Sequence, residues 1–148
     1  MRTEFLRYKR HVKSCIEYEL RNYGKTKRDI ARIEAELIPS PTPNYNATGG
    51  GHTATRQTEN IAMKFTAAPE LDRMRKTVEA IEAAMGAATR DQRRLVELVF
   101  FKKSHSVEGA AELLHMSTAT AYRRTDELIC DVAARLGYAL RKVEKKST

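Results

Sequence analysis

The stretch Ser106-Val107-Glu108-Gly109-Ala110-Ala111-Glu112-Leu113-Leu114-His115-Met116-Ser117-Thr118-Ala119-Thr120-Ala121-Tyr122-Arg123-Arg124 decides how this chain is read. Ala110, Ala111, Leu113 and Leu114 mark a short helix over Ser106–His115, a turn follows at His115-Met116, and Ser117 caps a longer helix. The buried face of that second helix is expected to be Ala121, Thr125, Leu128, Ile129, Val132 and Leu136, with Gly137 as its stop. Two helices that cross steeply need a small residue where they approach, and Ala111 supplies one. Leu114 follows as an apolar plug and Met116 faces the core. The turn position calls for positive φ; His115 stands there, more tolerant of it than most residue types but strained relative to Gly. Ala121 points inward where a branched residue is more usual.

That register leaves Thr118, Ala119, Tyr122 and Arg123 on the outward face near the helix N-terminus, where a helix lying in a major groove meets base edges. Arg123 has the fork to bond guanine O6 and N7, and Thr118 and Ala119 offer methyl contact to thymine. Tyr122 can pack on sugar or bond a phosphate. Phosphate-contact candidates surround them: Ser117 and Ser106 at the two helix starts, Lys102 and Lys103 ahead of the first helix, and Arg124, whose stem is expected to cover apolar surface while its head reaches the DNA backbone. Thr89, Arg90, Arg93 and Arg94 open the supporting helix. Thr89-Arg90-Asp91-Gln92 is a capping box for that helix, which buries Leu95, Leu98, Val99 and one of Phe100 or Phe101.

Further upstream, Leu71, Met74, Val78, Ile81 and Met85 alternate by three and four, a narrow seam that suits packing within the domain or self-association equally. Pro69 is read as the first residue of that helix, Gly86 as its end, and Thr58–Phe65 as a separate short helix. Residues 39–57 are dominated by Pro, Gly, Asn and Thr and read as a flexible linker. Their Gly49-Gly50-Gly51 lacks the following Lys of a phosphate cradle. The first 38 residues read as a helical hairpin. Phe5, Tyr8, Val12, Cys15, Ile16, Leu20 and Tyr23 stripe a helix over Thr3–Tyr23 that Gly24 closes. Thr26 and Asp29 then cap a second helix with Ile30, Ile33 and Leu37. The expected fold is therefore all-α: hairpin 1–38, linker 39–57, and a helical DNA-binding domain 58–148 with a helix-turn-helix at 106–137.

Composition bounds the function. The 148 residues carry a net charge of +8, which suits a phosphate-rich partner. Residues 1–40 hold 10 cationic and 6 anionic side chains, whereas 104–130 hold 2 and 4, so the reading helix is not itself strongly basic. No apolar run is long enough to span a bilayer and no signal-peptide pattern opens the chain, so no membrane partner and a cytoplasmic location are expected. Cys15 and Cys130 read as isolated buried thiols. The histidines His11, His52, His105 and His115 are scattered without metal-ligand spacing, and Glu34 and Glu36 diverge on their helix. No catalytic residues, metal or cofactor are expected, and the chain does not read as an enzyme.

Thr118–Arg124, "TATAYRR", after "AAELLHMS", resembles the Ser-x-x-Thr-x-Tyr-Arg-Arg signature of the RinA/ArpU-type late transcriptional regulators of bacteriophages. More broadly the segment is similar to the promoter-reading region 4 of sigma factors. The hairpin ending in "YG", the "GGG" linker, the "AIEAAM" helix and the closing Leu136-Gly137-Tyr138 also suit that family, although only the C-terminal part has specific motifs. The resemblance implies an activator of phage late or packaging genes in a bacterial host cell, binding double-stranded DNA near promoter-bound RNA polymerase; a homodimer is left open by the apolar seam, and the residues do not fix the oligomeric state. His115 and Ala121 depart from the family pattern. The rival expectation is a small terminase-like packaging protein, which pairs a helix-turn-helix with oligomerisation helices; a third is an interaction protein whose helix-turn-helix binds no DNA.

Overall fold

A computed structural model describes residues 6–7, 9–37, 52–139 and 141–142. In chain order the elements are β1 (Leu6–Arg7), α1 (Arg10–Arg21), α2 (Tyr23–Leu37), α3 (His52–Ala87), α4 (Arg90–Val96), a π-helical turn (Glu97–Phe101), α5 (Val107–Leu113), α6 (Thr118–Arg135) and β2 (Arg141–Lys142). The fold is all-α apart from β1 and β2, which pair antiparallel with Leu6 facing Lys142 and Arg7 facing Arg141. This pairing sets the ends of the expected helical pattern: α1 starts at Arg10 rather than at Thr3, and its stripe reduces to Val12, Ile16 and Leu20. Phe5 and Tyr8 lie outside the described residues.

The hairpin expected at the N-terminus takes another form. One residue, Asn22, separates α1 from α2, with its side-chain amide donating to the Tyr18 carbonyl at 2.8 Å. Gly24 and Thr26 fall inside α2, and the Thr26 amide donates to the Asn22 carbonyl at 2.7 Å, so neither closes or caps a helix. A one-residue break gives no loop to fold the helices back on each other. Instead α1 packs on α6 and the π-turn while α2 packs on α3. Tyr23 and Lys27 meet Glu82, at 2.7 and 3.4 Å, and Glu34 meets Arg75 at 2.6 Å.

Residues 39–51 of the expected linker lie outside the described residues, but His52–Gln57 are helical. The expected short helix and the helix expected from Pro69 form one 36-residue helix with Pro69 inside it. Proline removes one backbone donor and crowds the preceding turn, at about 3 kcal/mol in a helix interior. The turns that follow it are anchored by burial: Leu71, Met74, Thr77, Val78, Ala80, Ile81 and Ala84 are all buried. Of the expected seam, Leu71, Met74, Val78 and Ile81 are thus covered within the chain and Met85 is half-buried.

Two apolar clusters hold the molecule together. The larger joins Val12, Ile16 and Leu20 of α1, Ala80, Ile81 and Ala84 of α3, Val96 and Phe100, and Leu128, Ile129, Val132 and Ala133 of α6. The smaller joins Leu95, Ala110, Ala111 and Ala121, with Leu98, Val99, Val107, Leu114 and Met116 half-buried around it. The π-turn links them. Widening one turn by a residue puts Phe100 in the larger cluster and stacks Phe101 on Tyr23, ring centres 4.7 Å apart. The turn ends on Lys103 at φ 54°, with the Ser104 amide returning to the Leu98 carbonyl at 3.0 Å.

Candidate nucleic-acid interface

The interface candidate begins with two helix starts built from local hydroxyls. Ser106 Oγ accepts from the Gly109 amide at 3.1 Å to open α5, and Ser117 Oγ accepts from the Thr120 amide at 3.1 Å to open α6. Between them α5 closes by a left-handed stop. The His115 amide donates to the Glu112 carbonyl at 3.2 Å and the Met116 amide to the Ala111 carbonyl at 3.0 Å, with His115 at φ 57°. This is the Schellman arrangement, and α6 closes the same way through Gly137 at φ 85°. The positive φ expected at His115 is present. Ala111 and Ala121 are 1% and 0% exposed at the crossing of α5 and α6, so the small residues meet where the spacing puts them. Leu113, grouped with the apolar positions of α5, is instead 50% exposed.

Because Ala121 and Thr125 face inward, Thr118, Ala119, Tyr122 and Arg123 are exposed along the first two turns of α6. Thr118 and Ala119 begin an 18-residue helix, where unpaired amides and the positive end of the helix dipole favour an anion. Arg123 makes no ion pair with any described residue. Tyr122 is engaged: its hydroxyl donates to a carboxylate oxygen of Glu108 in the first turn of α5. That bond lowers the Glu108 carboxyl from its ordinary range and raises the Tyr122 hydroxyl.

The supporting helix α4 is tied to α6 by its own cap. Thr89 Oγ1 accepts from the Gln92 amide at 3.3 Å, and the Gln92 side chain accepts from the Thr89 amide at 3.0 Å, which completes the capping box. The other end of the same Gln92 amide group donates to Glu127 at 3.1 Å and to the Arg124 carbonyl at 3.4 Å. Arg124 turns back toward α4, 3.8 Å from Asp91, with Nε buried and without a hydrogen-bond partner among the described residues. In this geometry it joins two helices rather than offering a free cation. Arg90, Arg93 and Arg94 on α4, and Lys102 and Lys103 after the π-turn, are exposed and without an ion pair to any described residue. Thr89, Ser106 and Ser117 have their hydroxyls committed as caps, so contact with a phosphate falls to the neighbouring amides.

The structure therefore brings the candidates onto the α4–α5–α6 unit, and it adds Asp91, Gln92 and Glu108, which the residue patterns did not single out as site residues. Gln92 was visible only as a cap, because its second role depends on α6 lying alongside. Glu108 is one helical acid among several until Tyr122 is placed beside it. Elsewhere, Cys15 is exposed rather than buried; Cys130 is half-buried, its thiol pushed up to about 11 by burial and by the charges of Asp126 and Glu127. Among the described residues no group of three or more His, Cys, Asp or Glu could hold a metal ion, and no helix is long and apolar enough to cross a membrane. Compared with protein-family models, with curated proteins and with solved structures, the chain matches none.

Proposed function

We propose that this protein is a sequence-specific double-stranded-DNA-binding transcriptional regulator of the RinA/ArpU late-regulator kind, with a sigma-region-4-like helix-turn-helix. One observation carries the reading: the first turns of α6 are exposed with Arg123 unpaired, and the adjoining unit presents Arg90, Arg93, Arg94, Lys102 and Lys103, also unpaired among the described residues. In this reading Thr118, Ala119 and Arg123 face base edges in the major groove, and the amides at the start of α6 meet a phosphate. The α4 arginines and the two lysines hold the duplex backbone, which positions the reading helix without specifying sequence. Activation of late or packaging genes beside bacterial RNA polymerase, in the host cytoplasm, completes the proposal. A homodimer would use a surface other than the buried α3 seam.

The test is selection from a random duplex pool followed by footprinting on the selected sequence. Arg123→Ala is expected to weaken binding to the selected duplex by about 1–3 kcal/mol and to weaken scrambled duplex much less. Equal loss on both reassigns Arg123 to phosphate. No duplex retained at low salt overturns the reading. A ring of about eight or more subunits in sedimentation would transfer the proposal to the packaging class.

A further inference from the structure

Tyr122 and Glu108 form a contact that DNA affinity alone does not explain. Tyr122 is 40% exposed and adjoins Arg123, so its ring occupies the surface that the proposed duplex covers. Its hydroxyl is held by the carboxylate of Glu108, itself exposed. The groups that stabilise that carboxylate are the Tyr122 hydroxyl, the Glu108 amide and the Ser106 hydroxyl, with no cation among them. An ionised carboxylate at the edge of a phosphate-binding surface reduces attraction for every duplex. It also fixes one side chain of the reading face before binding, which removes an ordering cost from the correct complex.

The repulsion acts on right and wrong partners alike, whereas the held ring favours only the right one and offsets the repulsion there. We infer that Glu108 is a positioning residue that sets sequence discrimination: it holds the Tyr122 ring for the correct duplex and repels phosphate in any other docking. The inference rests on the DNA-binding reading above. Discrimination is a difference of two affinities, and a charge left facing the wrong partner widens it. Tyr122 then contributes to recognition through its ring, since its hydroxyl proton is given to Glu108 and not to DNA.

The experiment compares wild type, E108Q and Y122F on two duplexes of equal length, one selected by the wild-type protein and one a scramble of it. E108Q removes the charge and leaves only a neutral amide oxygen, a weaker acceptor, for Tyr122, so it relieves the repulsion and loosens the ring together. It is expected to bind the scramble about two- to fivefold more tightly, the scale of a single exposed charge interaction, while the selected duplex gains less, so the ratio falls. Y122F is expected to lower affinity for the selected duplex and leave the scramble unchanged. Equal gains of E108Q on both duplexes, or no change on either, overturn the inference. Ultraviolet titration of the tyrosines without DNA separates the two levels. Tyr122 should ionise at lower pH in E108Q than in wild type even if neither duplex binds, in which case it is the DNA reading that has failed and not the contact.

Discussion

The cations on either side of residue 88 are held differently: most before it are paired and most after it are not, with Lys9, Arg10 and Arg28 the N-terminal ones without an ion pair among the described residues. Before it, Lys13, Lys25, Lys27, Arg32, Arg73, Arg75 and Lys76 each lie within 4 Å of a carboxylate, on their own helix or a neighbouring one. After it, Arg90, Arg93, Arg94, Lys102, Lys103 and Arg123 have no such partner among the described residues, and the paired exceptions are Arg124 and Arg135. A paired cation must give up its carboxylate to meet a phosphate; an unpaired one need not. The contrast also shows what the N-terminal pairs do not do. Exposed pairs contribute about 0–1 kcal/mol each, so α1 is held by the apolar cluster it shares with α6.

The strongest way to break that comparison is to show that the two regions are energetically separate. Leu20, fully buried between α1 and the α6 face, is expected to cost about 2–5 kcal/mol when changed to Ala, with one transition by circular dichroism and by tyrosine fluorescence. A C-terminal transition left in place while α1 melts would divide the molecule. Next in size, replacing Arg90, Arg93 and Arg94 together by Ala should lower duplex affinity about 100-fold and reduce the log–log salt slope by about three. The matched replacement of Lys25, Arg32 and Lys76 should change affinity less than about twofold. Similar losses from both sets would erase the distinction between paired and unpaired cations. The smallest effect sharpens the local geometry. His115→Gly should stabilise the fold by about 0.5–1 kcal/mol in a thermal melt, because Gly takes φ 57° without the crowding of a Cβ. His115→Val should destabilise it.

Much of the α4–α6 unit was legible because it is written in short-range chemistry. Ser106, Ser117 and Thr89 bond amides three residues on, and the stop at His115 closes over five residues, so residue type and spacing suffice. The α6 face of Ala121, Thr125, Leu128, Ile129 and Val132 follows from helical period alone and is buried as expected, while Leu136, expected with them, caps the helix end and is half-buried. The N-terminal region was less legible for the opposite reason. Gly24 has the residue type of a stop, yet the break came at Asn22, where α1 leaves for α6 and α2 for α3. Pro69 has the type of a helix start, yet packing on both sides carries α3 through it.

The amino-acid order by itself determined the helical class, the caps and left-handed stop of α5 and α6, and which side of α6 faces outward. All of these depend on groups a few residues apart, whose geometry the backbone dictates. Tertiary structure alone decided that the α3 seam is internal, that a π-turn seats Phe100 against α1 and Phe101 on Tyr23 of α2, and which cations keep a carboxylate. It also decided that Tyr122 is held by Glu108, fourteen positions earlier in the chain. Such contacts join side chains that only the packing of helices brings within reach, and residue spacing carries no record of them.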